Sequence, residues 1–322
     1  MTLLSFAVVG LAGCSVLHPR PLLLTPLATL QLSHMQVTLP KGSTLAPGKK
    51  SPLVVTFTDP TGQTLSTIGQ GHGTIPWSSL SVSATVVQVN AKGVVQMPRL
   101  PWQSDGKTGT VTVTVPGEPA LTAQIAVTPR YDLDYHAEYS GSDGLAGLDG
   151  NNGLDGTDGL PGSIDPNNPS PGGNGSDGGN GSDGDQGGQG GQGPPVLVNV
   201  AMSPGNRTLL EVSVSSSGTQ KDWFLIDPNG GTLTVASHGG RGGAGGKGGK
   251  GGRGGAGGIG SPNGMAGNNG LEGQDGISGF DGPAGRVTLF YDPAAAPYIH
   301  VIHIESGILQ PIIQARPTPP LW

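Results

Sequence analysis

The chain has 322 residues, including 60 glycines and 29 prolines, while aromatic residues make up only 4% and charged residues 12%. This composition excludes an ordinary globular profile over the whole length; a period in the glycines then separates disorder from a repetitive element. The formal charge of −6 is mild, and the longest basic series (Arg241, Lys247, Lys250, Arg253) is spaced by glycines without interleaved aromatics, which excludes nucleic acid as a partner.

Leu3 to Gly13 is an apolar run closed by Leu11-Ala12-Gly13-Cys14. It fits a signal-peptide core of about 7 to 15 residues and is too short for a span of about 20. Cys14 is the only cysteine, so neither an intrachain disulfide nor a thiolate zinc cluster can form. The four closing residues resemble a bacterial lipobox. That resemblance implies a lipid on Cys14, a membrane partner through it, and a cell-envelope location; Ser15 is compatible with the outer membrane. No Lys or Arg precedes Cys14, which implies that the start has been placed late.

A proline-broken tether is expected over 15–34, followed by an antiparallel β-sandwich over 35–135. Its strands are expected at Met35–Leu39, Leu53–Thr58, Leu80–Val89, Gly93–Met97, Gly109–Val115 and Leu121–Val127. Val111 to Val115 alternates valine with threonine, one face each. A second β unit is expected from 194–238 together with 286–322. Its strands are Val196–Ala201, Leu209–Val214, Trp223–Ile226, Leu233–Val235, Arg286–Tyr291, Ile299–Ile304 and Leu309–Ile313. No long amphipathic helix is present, so the fold class is all-β with almost no α-helix.

Glycine occupies every third position from Gly141 to Gly162, Gly172 to Gly193, Gly239 to Gly260 and, after a one-residue slip, Gly264 to Gly285. These are tracts 1 to 4, each 22 residues long, grouped as pairs at 141–193 and 239–285. Collagen needs imino acids beside its glycines, and only Pro161 and Pro283 lie inside the tracts. In tract 3 the positions after the register glycines are Gly240, Gly243, Gly246, Gly249, Gly252, Gly255 and Gly258, which makes them the candidate packing residues of an extended three-residue-per-turn bundle. Each such rod would be roughly 65 to 70 Å long. Tract 1 carries Leu145, Leu148, Leu154 and Leu160 on one face and aspartates on another; tract 4 repeats this with Met265, Leu271, Ile277 and Phe280. Tract 3 alone is basic, so it is expected at the centre of a monomeric bundle, flanked by acidic tracts whose ion pairs select the neighbours.

The tracts resemble those of bacterial collagen-like or glycine-rich surface lipoproteins, and tract 3 resembles the polyglycine-II bundles of some phage adhesins and small antifreeze proteins. The resemblance implies a lipid-anchored structural or adhesive protein that uses stiff rods for spacing or display. The competing reading is a glycan- or peptide-binding module with recognition in the β-sandwich loops, which an exposed tryptophan among Trp77, Trp102, Trp223 and Trp322 would favour. An enzyme would need a convergent polar pocket, and no catalytic motif, cofactor or metal site is expected. His300 and His303, three apart on an expected strand, point to opposite faces. The repeat Gly172-Gly173-Asn174-Gly175-Ser176-Asp177 and Gly178-Gly179-Asn180-Gly181-Ser182-Asp183 lacks the apolar residue after each aspartate that a calcium-binding β-roll requires.

Overall fold

The computed structural model describes residue 27 and residues 30–204, 208–217, 221–305, 307 and 309–322; Cys14 lies outside them. The chain is predominantly β-strand with little helix and divides into two compact units, 1–99 with 103–129, and 100–102 with 130–322. The first unit holds β1 (His34–Thr38), β2 (Thr44–Leu45), β3 (Lys50–Pro52), β4 (Val54–Thr58), β5 (Thr64–Ser66), β6 (Ser81–Thr85), β7 (Gln88–Val89), β8 (Val94–Gln96), β9 (Gly109–Val115) and β10 (Glu118–Pro129). They form sheets ordered β1-β4-β5, β2-β10-β9-β6 and β3-β8-β7. All pairs are antiparallel except the short β2–β10 contact. Val111 and Val113 are fully buried beside Phe57, Val55 and Val95 in a core fed by all three sheets, as the period-two pattern requires. Leu27, Leu30 and Leu32, expected in the tether, pack on this core. The expected strand Leu80–Val89 breaks at Val86, whose φ of 63° no ladder accommodates.

The second unit holds β11 (Asp134–Ser140), β12 (Val196–Met202), β13 (Leu210–Ser216), β14 (Asp222–Ile226), β15 (Thr232–His238), β16 (Val287–Tyr291), β17 (Ile302–Glu305) and β18 (Ile312–Ala315). A five-stranded sheet β14-β13-β12-β16-β18 packs against a three-stranded sheet β11-β15-β17, with Val198, Val212 and Leu289 meeting Leu233 and Val235 between them. Both sheets contain parallel pairs, which corrects the antiparallel expectation. The cause is connectivity: tracts 1 and 2 cross from β11 to β12, and tracts 3 and 4 from β15 to β16. The expected strand Ile299–Ile304 is only β17, because Asp292 accepts a hydrogen bond from Ala294 N–H and, with Pro293, starts a 3₁₀ helix over Pro293–Val301.

The tracts have no strand or helix character of their own, yet their backbones are paired. Glycine N–H groups of tract 1 donate to tract 3, those of tract 2 to tract 4, and N–H groups of tract 2 also to tract 1, at 2.7–3.0 Å. Tract 3 donates to tract 2, and tract 4 to tract 3. Gly249 N–H, for example, donates to the Ser182 carbonyl while its own carbonyl accepts from Gly273. Tracts 1 and 3 run parallel and continue the register of the strands that feed them. Ser140 of β11 pairs with His238 of β15, and three residues on Asp143 accepts from Arg241 N–H, 98 residues away.

Four expectations are corrected. The resemblance to elongated collagen-like surface lipoproteins does not hold: the four tracts fold back within the same compact unit as eight strands, and every partner of their register glycines is in this chain. A rigid spacer or display rod, as a function, falls with it. The leucine faces of the tracts point to solvent: Leu145, Leu154 and Leu160 are 80–83% exposed, and Met265, Leu271 and Phe280 72–74%, because positions between tracts have no room for a side chain. Ion pairs do not select neighbours either. The ion pair among the described residues is Arg130–Asp132, whereas tract carboxylates accept from backbone: Asp149 from Lys247 N–H at 2.7 Å, Asp275 from Gly248 N–H at 2.8 Å, Asp183 from Gln274 N–H at 2.7 Å. Tract 2, like tract 3, bonds to all three others, so the centre is shared.

Candidate functional site

β13 alternates Leu210, Val212 and Val214 into the core with Glu211 and Ser213 on the opposite, outer face of the five-stranded sheet. In the antiparallel β13–β14 register Glu211 stands opposite Leu225 and Ser213 opposite Trp223, so these four share that outer face. Trp322 and Trp102 complete it. Trp102 belongs to Leu100–Trp102, the short piece of chain that counts with this unit although its sequence neighbours fold with the other.

The three indoles form a closed triangle. Ring centroids lie 5.4 Å apart for Trp102 and Trp223 at 88°, 5.7 Å for Trp102 and Trp322 at 46°, and 5.9 Å for Trp223 and Trp322 at 75°. These edge-to-face and tilted contacts suit the ring quadrupoles. The Lys221 ammonium sits 4.3 Å from the Trp223 centroid, and Tyr131, Leu209 and Leu225 are buried against Trp322. All three indoles are half-buried, leaving aromatic surface at the rim.

The segment Arg316–Trp322 approaches this triangle across the sheet. Arg316 N–H donates to the Tyr291 carbonyl at 2.8 Å and its guanidinium lies 5.4 Å from the Phe290 ring centroid. Thr318 N–H donates to Asp292 Oδ2 at 3.1 Å, and Leu321 N–H donates to Glu211 Oε2 at 2.6 Å. Glu211 is fully buried. Ser213 Oγ and Trp322 Nε1 are buried with no protein hydrogen-bond partner. At the β11 side of the unit, burial pushes the Tyr135 hydroxyl up to about 12, and burial with a hydrogen bond to Asp222 raises Tyr139 as well.

No family model, curated protein or solved structure matches this chain.

The seven glycines Gly240, Gly243, Gly246, Gly249, Gly252, Gly255 and Gly258 all lie against tract 1. A Cβ on Gly240 would overlap the Ser142 carbonyl, on Gly249 that of Asn151, and on Gly258 that of Leu160. They are packing positions with no chemistry to offer a ligand. Trp77 is buried in the first core against Gly93 and takes no part in the cluster. His300 Nδ1 is 3.1 Å from the Pro297 carbonyl in the 3₁₀ helix and His303 stands on β17, so they are not two residues of one strand. Among the described residues no group of three His, Cys, Asp or Glu is placed to hold a metal. In the duplicated asparagine–aspartate repeat the side-chain oxygens of Asn174, Asp177, Asn180 and Asp183 are engaged by tract 4 N–H groups.

Sequence reasoning singled out the tryptophans but placed recognition in sandwich loops, whereas the cluster lies on a sheet face. It missed Glu211 and the segment Arg316–Trp322. The signals were a single charged residue in a strand that otherwise alternates apolar residues with serine, and three closely spaced prolines followed by leucine and tryptophan.

Proposed function

We infer that this protein is a non-enzymatic recognition module that binds glycan or peptide at the tryptophan-lined outer face of the five-stranded sheet. The observation that carries the reading is the convergence of Trp102, Trp223 and Trp322 from three distant parts of the chain into one half-buried aromatic surface. Indole faces stack on the apolar faces of sugar rings and on proline. The acids nearby support binding over catalysis, since Glu211 and Asp292 are occupied as backbone acceptors. Binding of the purified chain to glycan and peptide arrays tests this: Trp223→Ala should remove the signal while leaving the thermal transition of the first unit in place. Equal binding by both proteins would overturn it.

Two finer readings accompany it. The every-third-residue hydrogen bonds support polyglycine-II packing of the four tracts within a monomer, checked by amide exchange with protection recurring at the register glycines. For location, the apolar run closed by Leu11–Cys14 supports cell-envelope placement with a lipid on Cys14, which mass spectrometry of the exported chain would detect.

A further inference from the structure

Segment Arg316–Trp322 is built like a bound peptide. Pro317, Pro319 and Pro320 have no N–H to leave unsatisfied; Arg316 N–H closes the β16–β18 ladder on the Tyr291 carbonyl, and the N–H groups of Thr318 and Leu321 are taken by the surface beneath, by Asp292 and Glu211. Its apolar end sits on the indoles of Trp102 and Trp223. A proline-rich segment fixed in direction by a few backbone hydrogen bonds and anchored by one aromatic residue is a general mode of peptide recognition, because proline has already lost the freedom that binding would remove. The fit is incomplete. Trp322 Nε1 and Ser213 Oγ are buried without a protein partner, a cost that weakens the hold of this segment and that a better matched peptide would not carry.

We propose that the outer face of the five-stranded sheet is a receptor for proline-rich peptides that carry an apolar–aromatic pair after the last proline, and that Arg316–Trp322 is its tethered occupant, displaced when a partner supplies such a segment. This rests on the reading of the face as a recognition surface and names the ligand class. Glu211 directs the peptide by accepting the N–H that follows the last proline; Trp102 and Trp223 hold the aromatic ring of the pair. Tethering gives the occupant an effective concentration of about millimolar, so an untethered peptide of equal chemistry binds weakly until the tether is cut.

The test uses the full chain with a protease site inserted between Ala315 and Arg316, folded intact and then cut, so that no truncated protein has to fold. The probe is a fluorescent heptapeptide with the sequence of Arg316–Trp322. The expected result is saturable binding to the cut chain, at least about tenfold weaker binding to the uncut chain, loss of binding when the probe has alanine in place of the tryptophan, and loss in a cut chain carrying Trp223→Ala. A cut chain that keeps its own heptapeptide without exchange, or releases it and takes up no probe, overturns the proposal. If the probe fails while glycans still bind in a Trp223-dependent manner, the recognition reading stands and the peptide inference falls; if nothing binds, both fall.

Discussion

The sheets and the glycine tracts of the second unit satisfy their backbone groups against neighbouring chain segments by opposite uses of side chains. In the sheets Val198, Val212, Leu233 and Val235 lie fully buried between two layers, and removal of apolar area from water holds the layers together. In the tracts the large apolar residues point outward, 64% exposed or more, and the interior contains only backbone. A sheet interior tolerates exchange of one apolar residue for another of similar volume. A tract interior tolerates no side chain at all. The same register runs through both regions, since β12 pairs with β16 from Val196 opposite Val287 while Asn174 accepts from Met265 N–H at the same 91-residue offset.

The largest effect is expected of Gly249→Val. Its Cβ would overlap the Asn151 carbonyl, so the second unit should lose more than about 4 kcal/mol or fail to fold, beyond the usual range for one substitution. Amide exchange should show protection lost across all four tracts and retained in β4 and β9. Phe57→Ala in the first unit should cost about 3 to 5 kcal/mol by the cavity it leaves, read from denaturant unfolding, with the tracts still protected. A milder probe is Asp149→Ala, which removes the acceptor of Lys247 N–H and should cost about 0.5 to 1 kcal/mol. Asp149→Asn should cost less, because Asn152 already accepts from Lys250 N–H in the neighbouring triplet. A thermal-shift series in which the two variants are equal would show that these acceptors are incidental.

Tyr135 adds a pH-dependent probe. Its folded pKa is raised by burial to about 12, above an unfolded value of about 10, so its contribution is complete below pH 10 and is lost as pH rises from about 10 through 12. Tyr135→Phe should therefore unfold less steeply than the parent in that window. The difference should stay under about 1.4 kcal/mol per pH unit because the ring is partly exposed. The smallest effect belongs to Leu145→Ser: at 83% exposure the side chain should contribute within about 0.5 kcal/mol, and a larger loss in equilibrium unfolding would mean that the outward leucines are covered.

Most strands were legible because valine alternation leaves little choice of face, as in Val111 to Val115. β11 was not, since Asp-Tyr-His-Ala-Glu-Tyr-Ser buries only Ala137 and takes its place from parallel pairing with β15. The shared central position of tract 2 left no comparable mark: the residues whose N–H groups bond to tract 1 include Ser176, Ser182 and Asp185 as well as glycines, without the excess of glycine seen in tract 3. The tryptophan site was half legible: the indoles could be named, but their meeting depends on Leu100–Trp102, β14 and Arg316–Trp322 arriving at one sheet face.

What is local and periodic could be read along the chain: two sets of strands, four glycine tracts of equal length, and the near absence of helix, each following from repeats of two or three residues that any neighbour must respect. Which tract lies beside which, the use of aspartates as acceptors for backbone N–H groups in place of lysine partners, and the convergence of three tryptophans with a proline-rich segment all arise in the folded chain. Those outcomes rest on contacts between residues about 90 to 220 positions apart, and no local period encodes a partner at such separation.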